Sequence, residues 1–512
     1  MAISASGSLV DADAPAQAGR KQSSRDAHAA AKAFLQTGDL RRAEDAYCSI
    51  LVRDPEDAQA WYLLAWVCQS SKRLDEAVDH YRQSLRFDSD NPPAWNNLAA
   101  ALQQLDQPEE AERCCREALR IEPAYADAHN NLGNTLHNRG RYSEALACYE
   151  RALELEPNRD DIHHNLGNTH RAEGRLAESL ACYESALRLS PEHARVNFSR
   201  AMLYLQSGDL RRGFAEVRWQ YKCEGAIEPF FSGPCWDGSP LDGRTILLHD
   251  HQGMGDMLQF IRYAPKVAAR GGRVVVACSR PLARILKTCS GVADTFFRFN
   301  ETPAYDSQRV LMSLPDLFGT TLDTIPATVP YLAADPADVA RRGEELGGDS
   351  GFKIGIAWQG NPGHNKDRER SFPLDLYEGL SRVPGVRLYS LQKGVGAEQL
   401  GGLNGRFDVT DLGSGTSDFL DTAALIANLD LVIAPDTALA HLAGALGAPV
   451  WVALPYAPDW RWMLGREDSP WYPSMRLFRQ PKWGDWSTVF ERMREAASER
   501  PAAAWPSSGR GA

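Results

Sequence analysis

Trp61, Trp95, His129, His163 and Asn197 stand 34 residues apart. A period of that length leaves a chain few folds, because each copy must be one small unit that buries its apolar face only against the copies on either side. Four residues after each marker comes a small residue: Ala65, Ala99, Gly133, Gly167 and Ala201. Ala77, Ala111, Ala145 and Ser179 hold a second small position, and Tyr81, Cys115, Tyr149 and Tyr183 follow four residues later. Pro55, Pro123, Pro157 and Pro191 stand near the repeat ends. The pattern predicts two antiparallel helices per repeat. Small residues let them approach closely, larger ones fill the groove to the next repeat, and proline stops the second helix.

This is similar to the tetratricopeptide repeat. An earlier copy begins near residue 24 with Ala31, Ala43, Tyr47 and Pro55, and a sixth begins near 194, where Gly213 and Val217 take the Ala and Tyr positions. The reading is an α-solenoid over 24–227, about six repeats with the last degenerate and forming the seam to the next domain. "NNLGN" and "HNLGN" place Asn97, Asn131 and Asn165 on successive first helices, with Asn134 and Asn168 three residues on. Such carboxamides suit an extended peptide, whose backbone they can bind whatever its side chains. The alternative is that they belong to the ordinary sequence of these helices. A protein partner is expected of the concave groove in either case.

The remaining chain is long enough for further domains, at 512 residues in all. The formal charge of −11 and the lack of a basic run argue against nucleic acid as a partner. No apolar run reaches the roughly 20 residues of a membrane span. Residues 1–23 have no apolar core of a secretory signal and a composition expected of a disordered leader; 501–512 read as a disordered tail. Of ten cysteines, Cys114, Cys148 and Cys182 follow the 34-residue period, which marks a packing phase rather than a bridge pattern. Reduced thiols in a cytoplasmic protein are expected.

From about residue 240 strands alternate with helices. "TILLHD" (245–250), "RVVVACS" (273–279), "KIGIAWQ" (353–359), "VRLYSLQ" (386–392), "LDLVIAP" (429–435) and "PVWVAL" (449–454) read as buried strands. The alternation predicts parallel sheets with helices on both faces, in two blocks at 228–350 and 351–500 that face a cleft. The last helix, "WSTVFERMREAASE", is expected to cross back and tie the blocks together.

Three loops would face that cleft. In "HDHQGMGDMLQF", Gly253 and Gly255 permit close backbone approach of a ligand. Leu258 stands where a dinucleotide fingerprint needs glycine, so a nicotinamide or flavin cofactor is disfavoured. Asp256 is either a helix-start carboxylate or a general base. In "WQGNPGHNKDRERSFP", Lys366, Arg368 and Arg370 are either a solvated charged loop or cations for a diphosphate. In "APDTALAHLAGALG", Asp436 reads as helix cap and Thr437 as first helical residue, with His441 one turn on, either a core imidazole or part of an anion site. Trp460 and Trp462 either stack on a base or sugar or pack the domain edge.

Together, Gly255-Asp256, Arg370 before Ser371-Phe372-Pro373, and Asp436-Thr437 with His441 resemble the heptosyltransferase-like glycosyltransferases, inverting enzymes of the GT-B fold. The resemblance covers roughly residues 240–490. It implies Asp256 as catalytic base, Arg370 at the donor diphosphate with Lys366 and Arg368 nearby, Asp436 and Thr437 at the nucleotide or phosphate, and His441 lining the pocket. The nucleotide sugar would be a substrate, with no cofactor; no D-x-D stands between 237 and 485, so a metal-bridged diphosphate is not indicated. Arginine stands where the heptose enzymes usually have lysine, and those enzymes lack a solenoid. In that respect the chain is similar to protein O-GlcNAc transferases, without their histidine-rich motifs. The transferase reading has the solenoid presenting a protein or carrier-linked glycan. One alternative is a non-catalytic scaffold with a degenerate sugar-nucleotide module; another is a sugar-nucleotide epimerase related in fold only.

Overall fold

A computed structural model describes residues 26–223, 231–249, 253–297, 302–346, 351–364 and 366–499. The expected leader (1–23) and tail (501–512) lie outside the described residues. By packing, the described residues form two compact units: those up to His170 with Glu184–Pro191, and Arg171–Tyr183 with the described residues from Glu192 onward.

The repeats are helix pairs: 26–36 with Leu40–Arg53, Ala58–Ser70 with Leu74–Phe87, Pro92–Gln104 with Pro108–Ile121, Ala126–Asn138 with Tyr142–Leu155, Asp160–Ala172 with Leu176–Leu189, and Ala194–Ser207 with Leu210–Glu216. The small positions are buried, as are Tyr81, Cys115, Tyr149 and Tyr183. Gly133 shows why: a Cβ there would stand 2.6 Å from the Tyr149 ring.

The marker position has its own logic. The ring nitrogens of Trp61 and Trp95 donate to the carbonyls of Pro55 and Ser89, each at 2.9 Å, and His129 and His163 meet those of Pro123 and Pro157 at 3.0 and 3.2 Å. In all four the partner lies six residues upstream. Tryptophan and histidine interchange here because each supplies a ring N–H that satisfies a carbonyl beyond the end of the preceding helix.

The sixth pair belongs to the second unit. Leu205, Leu210, Phe214 and Val217 join the same apolar core as the α/β sheets. The Phe214 ring meets Trp460, Phe260 and Trp471 edge-on, at centroid distances of 5.6, 6.2 and 6.4 Å. The degenerate repeat has exchanged a groove for another repeat for a face that fits the α/β core.

Among the described residues, ten strands form two parallel sheets. The first contains β1 (Thr245–His249), β2 (Arg273–Cys278), β3 (Val292–Phe297) and β4 (Ser307–Val310), in the order β3-β2-β1-β4. The second contains β5 (Phe352–Ile356), β6 (Val386–Ser390), β7 (Val409–Asp411), β8 (Leu431–Pro435), β9 (Val450–Leu454) and β10 (Met475–Arg479), in the order β10-β9-β8-β5-β6-β7. These are two Rossmann-like blocks. In the second, the strand order reverses between β5 and β8; in the first, between β1 and β4. Crossover helices leave opposite faces at such a reversal and open a crevice beyond the carboxyl ends of the two strands.

One expected element behaves differently. The last helix, Trp486–Ser498, does not cross to the first block: Val489, Phe490, Met493 and Ala496 pack in the second block's own cluster with Phe372, Tyr377 and Leu380. Its apolar stripe is used up by that face.

Candidate functional site

The loops after β1, β5, β8 and β9 bring one group of polar side chains together. Arg370 lies on the short helix Asp367–Arg370 after β5, and its Nη1 donates to the Asp436 carbonyl, after β8, at 2.8 Å. Its Nε meets the buried Asp367 carboxylate at 3.3 Å. Gly360 makes room for both, since a Cβ there would be 2.2 Å from Asp367 Oδ1 and 2.9 Å from Arg370 Nη2. Arg370 and Asp436 thus sit together at the strand reversal of the second sheet.

Helix Met254–Phe260 begins after β1 with Gly253 as its cap, and the Gly253 N–H donates to Asp256 Oδ2 at 3.2 Å. This is the reaching-back carboxylate of a helix start. The other oxygen does something else: Oδ1 accepts from Arg461 Nη2. Asp256 therefore fills the helix-start role with one oxygen and leaves the other to a cation from the second block. Its side chain is 15% exposed.

Arg461 stands just after β9. Besides Asp256, its Nε donates to Gln259 Oε1 at 2.5 Å and its Nη1 to Asp459 Oδ1 at 2.8 Å. Its guanidinium lies 4.5 Å from the centre of the Trp460 ring. Burial pushes the Asp256 carboxyl up, helped by the charge of Asp459 and opposed by Arg461. Burial pushes Asp459 up as well, but there the pull of Arg461 and its hydrogen bonds wins and the pKa is lowered.

The β8 loop departs from expectation by one residue. Thr437, not Asp436, is the cap of helix Ala438–Ala445, and it makes no side-chain capping bond. The Asp436 carboxylate serves the site instead: Oδ1 lies 4.0 Å from His441 Nε2. Burial and the charge of Asp459 raise Asp436 to about 6, against the pull of Arg461 and Arg370. His441 is a core imidazole. Nδ1 is 2.8 Å from the Tyr472 hydroxyl, the ring stacks on Trp462 at 5.5 Å, and burial followed by the nearby arginines lowers its pKa to about 3.

Gly255 also differs from expectation. A Cβ there would lie 2.9 Å from His441 Cδ2 and 3.8 Å from Ala438 Cα. The glycine admits the helix of the other block rather than a ligand. Gly253 is freer, with Asp256 Oδ2 3.7 Å from a Cβ placed there. Of the basic loop, Lys366 is exposed and its charge acts on Asp459 and Glu369, His364 acts on Asp256, and Arg368 is exposed. Trp460 and Trp462 are buried and pack the core.

Sequence reasoning missed Asp459, Arg461, Gln259 and Arg262. Arg262 crosses between blocks: its Nη1 donates to the Trp471 carbonyl at 2.7 Å and its Nη2 to the Tyr331 hydroxyl at 2.9 Å. A signal was present in "PDWRWMLG". An Asp and an Arg embedded among tryptophans that must be buried have to be paired.

The asparagines have structural partners. Asn131 Nδ2 donates to Asn96 Oδ1 at 2.8 Å and Asn165 Nδ2 to Asn130 Oδ1 at 3.0 Å; Asn97 reaches the Tyr62 hydroxyl at 3.0 Å. Each bond spans 35 residues and ties one repeat to the one before. Asn134 Oδ1 accepts from the Tyr149 hydroxyl at 2.8 Å, and Asn168 Nδ2 meets His164 Nε2 at 3.2 Å. Asn97, Asn131 and Asn165 thus fasten repeats together, while Asn134 and Asn168 bond within one repeat. Among the described residues, Cys68, Glu76 and His80 are the grouping with metal-ligand atoms within 4.8 Å of one another, and there Glu76 is already paired with Arg73 at 3.1 Å. No described helix is long and apolar enough to cross a membrane.

Residues 160–193 match the tetratricopeptide repeat, and residues 14–165 match the cilia and flagella-associated protein 70 C-terminal domain. Residues 385–458 match glycosyltransferase family 9 (heptosyltransferase). The chain carries tetratricopeptide repeats, and part of its second Rossmann-like block matches glycosyltransferase family 9. The family 9 stretch contains β6 to β9 with Asp436, Thr437 and His441, while Asp256, Arg370 and Arg461 lie outside it. Protein FlbA of Caulobacter vibrioides is 31% identical over 338 residues, 59% of this chain and 55% of that protein, so the match spans about half of the relative's length. Solved structures similar over the repeats include YrrB, described as a tetratricopeptide protein with an unusual peptide-binding site (24% identity, TM-score 0.31, 37% of this chain and 98% of that one). Another is PilW, a type IV pilus biogenesis factor (22% identity, TM-score 0.37, 40% of this chain and 96% of that one).

Proposed function

We propose that the α/β part is an inverting glycosyltransferase that works without a metal and uses a nucleotide-sugar donor. The donor diphosphate lies at the strand reversal of the second block, where Arg370 and Lys366 neutralise it and the N-terminus of helix Ala438–Ala445 offers free backbone N–H groups. Asp256 takes the proton of an acceptor hydroxyl. The acceptor oxygen bonds to the anomeric carbon as the bond from that carbon to the diphosphate oxygen breaks, and the nucleoside diphosphate departs with configuration inverted. The repeats hold the acceptor, a protein or a carrier-linked glycan.

The observation that supports this best is the meeting of Arg370 Nη1 with the Asp436 carbonyl at 2.8 Å. It joins two turns far apart in the chain at the place where open α/β sheets bind ligands. The test is protection of the full chain against thermal unfolding by UDP-, GDP-, ADP- and CMP-sugars. One donor class should raise the melting temperature, and Arg370→Ala should remove that rise. No protection by any of the four would end the transferase reading.

A further inference from the structure

Asp256 and Arg461 are 205 residues apart and belong to different blocks, yet they form a direct ion pair. Arg461 is only 10% exposed at its side chain and is held on three sides, by Asp256, Gln259 and Asp459. Two of those acceptors come from helix Met254–Phe260 and the third from the turn that carries Arg461 itself. A planar guanidinium bound this way fixes the direction of each partner, which a point charge would not.

We propose that Arg461 is the positioning residue of the Asp256 carboxylate: it orients one oxygen, fixes the first block's helix against the second, and shares its charge with Asp459. This rests on the reading of Asp256 as the base. The consequence is a division of labour between two carboxylates on one cation. Arg461 and its hydrogen bonds hold the Asp459 carboxyl below the usual carboxylate range, while burial makes Asp256 the more basic carboxylate. The groups that face Asp256 are Arg461 and Asp459 from the turn after β9, His364 from the loop after β5, and Gln259 on its own helix, whose Oε1 binds the same arginine. The ring of His441, neutral in the fold, lies against the adjacent Gly255.

The test is a double-mutant cycle on the full chain, measured by unfolding across the acid-to-neutral range, with Asp256→Asn, Arg461→Met and both together. The coupling between the two residues should be present near neutrality and vanish in acid as Asp256 takes its proton. Arg461→Lys keeps a charge and covers the case in which Arg461→Met does not fold; it should retain part of the coupling. With whichever of the four donors protects the chain, Arg461→Lys should lower kcat roughly tenfold or more with KM little changed, since the base is misdirected and the donor site is untouched. A coupling that is absent, or equal at all pH values, would overturn the proposal and leave Arg461 a packing residue. Failure of every donor to protect would instead remove the base role while leaving the cycle's result intact.

Discussion

Polar side chains in the two parts of this molecule are satisfied in opposite ways. In the repeats, recurring partners lie at fixed offsets: six residues for the marker rings, 35 for Asn97, Asn131 and Asn165. In the α/β part they lie 66 residues away for Arg370, 205 for Arg461 and 209 for Arg262, with no common interval. A periodic bond is repeated, so one loss is absorbed by its neighbours. A convergent bond is unique, and its loss is felt at one place. The repeats spread their stability along the chain, while the α/β part concentrates it where the blocks meet.

This contrast orders the expected effects. The largest is at Asp256: replacing it with Asn should lower turnover by roughly 10²- to 10⁴-fold, the usual worth of a general base, in a transfer assay with the donor that protects the chain. Unchanged turnover would return Asp256 to its helix-start role alone. Next is Phe214, where the last repeat enters the α/β core. Phe214→Ala should destabilise the second unit by about 3–5 kcal/mol in denaturant unfolding. A loss confined to the repeats would mean that the sixth pair has not changed allegiance.

The third concerns pH. Asp436 has a folded pKa of about 6 against its ordinary 3.8, so the folded chain holds the extra proton and stability falls as pH rises through that window. His441 has a folded pKa of about 3 against 6.5, so the unfolded chain holds the extra proton and stability rises with pH through that window. Where the windows overlap the two terms oppose, each with a limiting slope of about 1.4 kcal/mol per pH unit. His441→Phe should expose a stability that falls with rising pH, and Asp436→Asn one that rises. Parallel profiles in the two variants would show that these groups do not carry the shifts. The smallest effect is in the repeats: His129→Phe should cost no more than about 1 kcal/mol in unfolding, because one exposed hydrogen bond is lost, and Trp95→His should cost less because it keeps a ring N–H. A penalty as large as that of Phe214→Ala would break the contrast.

How far the sequence could be read depends on the same division. The six strands recognisable in it, β1, β2, β5, β6, β8 and β9, are the inner strands of the two sheets. Buried on both faces, they read as unbroken apolar runs. The four it did not reveal, β3, β4, β7 and β10, are the four sheet edges, with stretches such as "SQRV" and "VTD". Half-covered strands need no continuous apolar run, so nothing local announces them. The site divides likewise. Asp256, Arg370 and Asp436 stand out at strand–helix turns, whereas Arg461 does not, because its meaning lies in a partner two hundred residues away.

By itself the sequence determined the repeat, its helix pairs, the small-residue contacts within them and the inner strands, since each depends on periodicity or on an apolar run that neighbours in the chain can express. Only the tertiary structure decided that the sixth repeat packs with the sheets, that Gly255 yields to His441, that Asn131 and Asn165 bind asparagines of the preceding repeat, and that one buried arginine joins Asp256 to Asp459. The physical reason is that a charge removed from water must find its counter-charge in space, and the chain's order sets no limit on where that partner comes from.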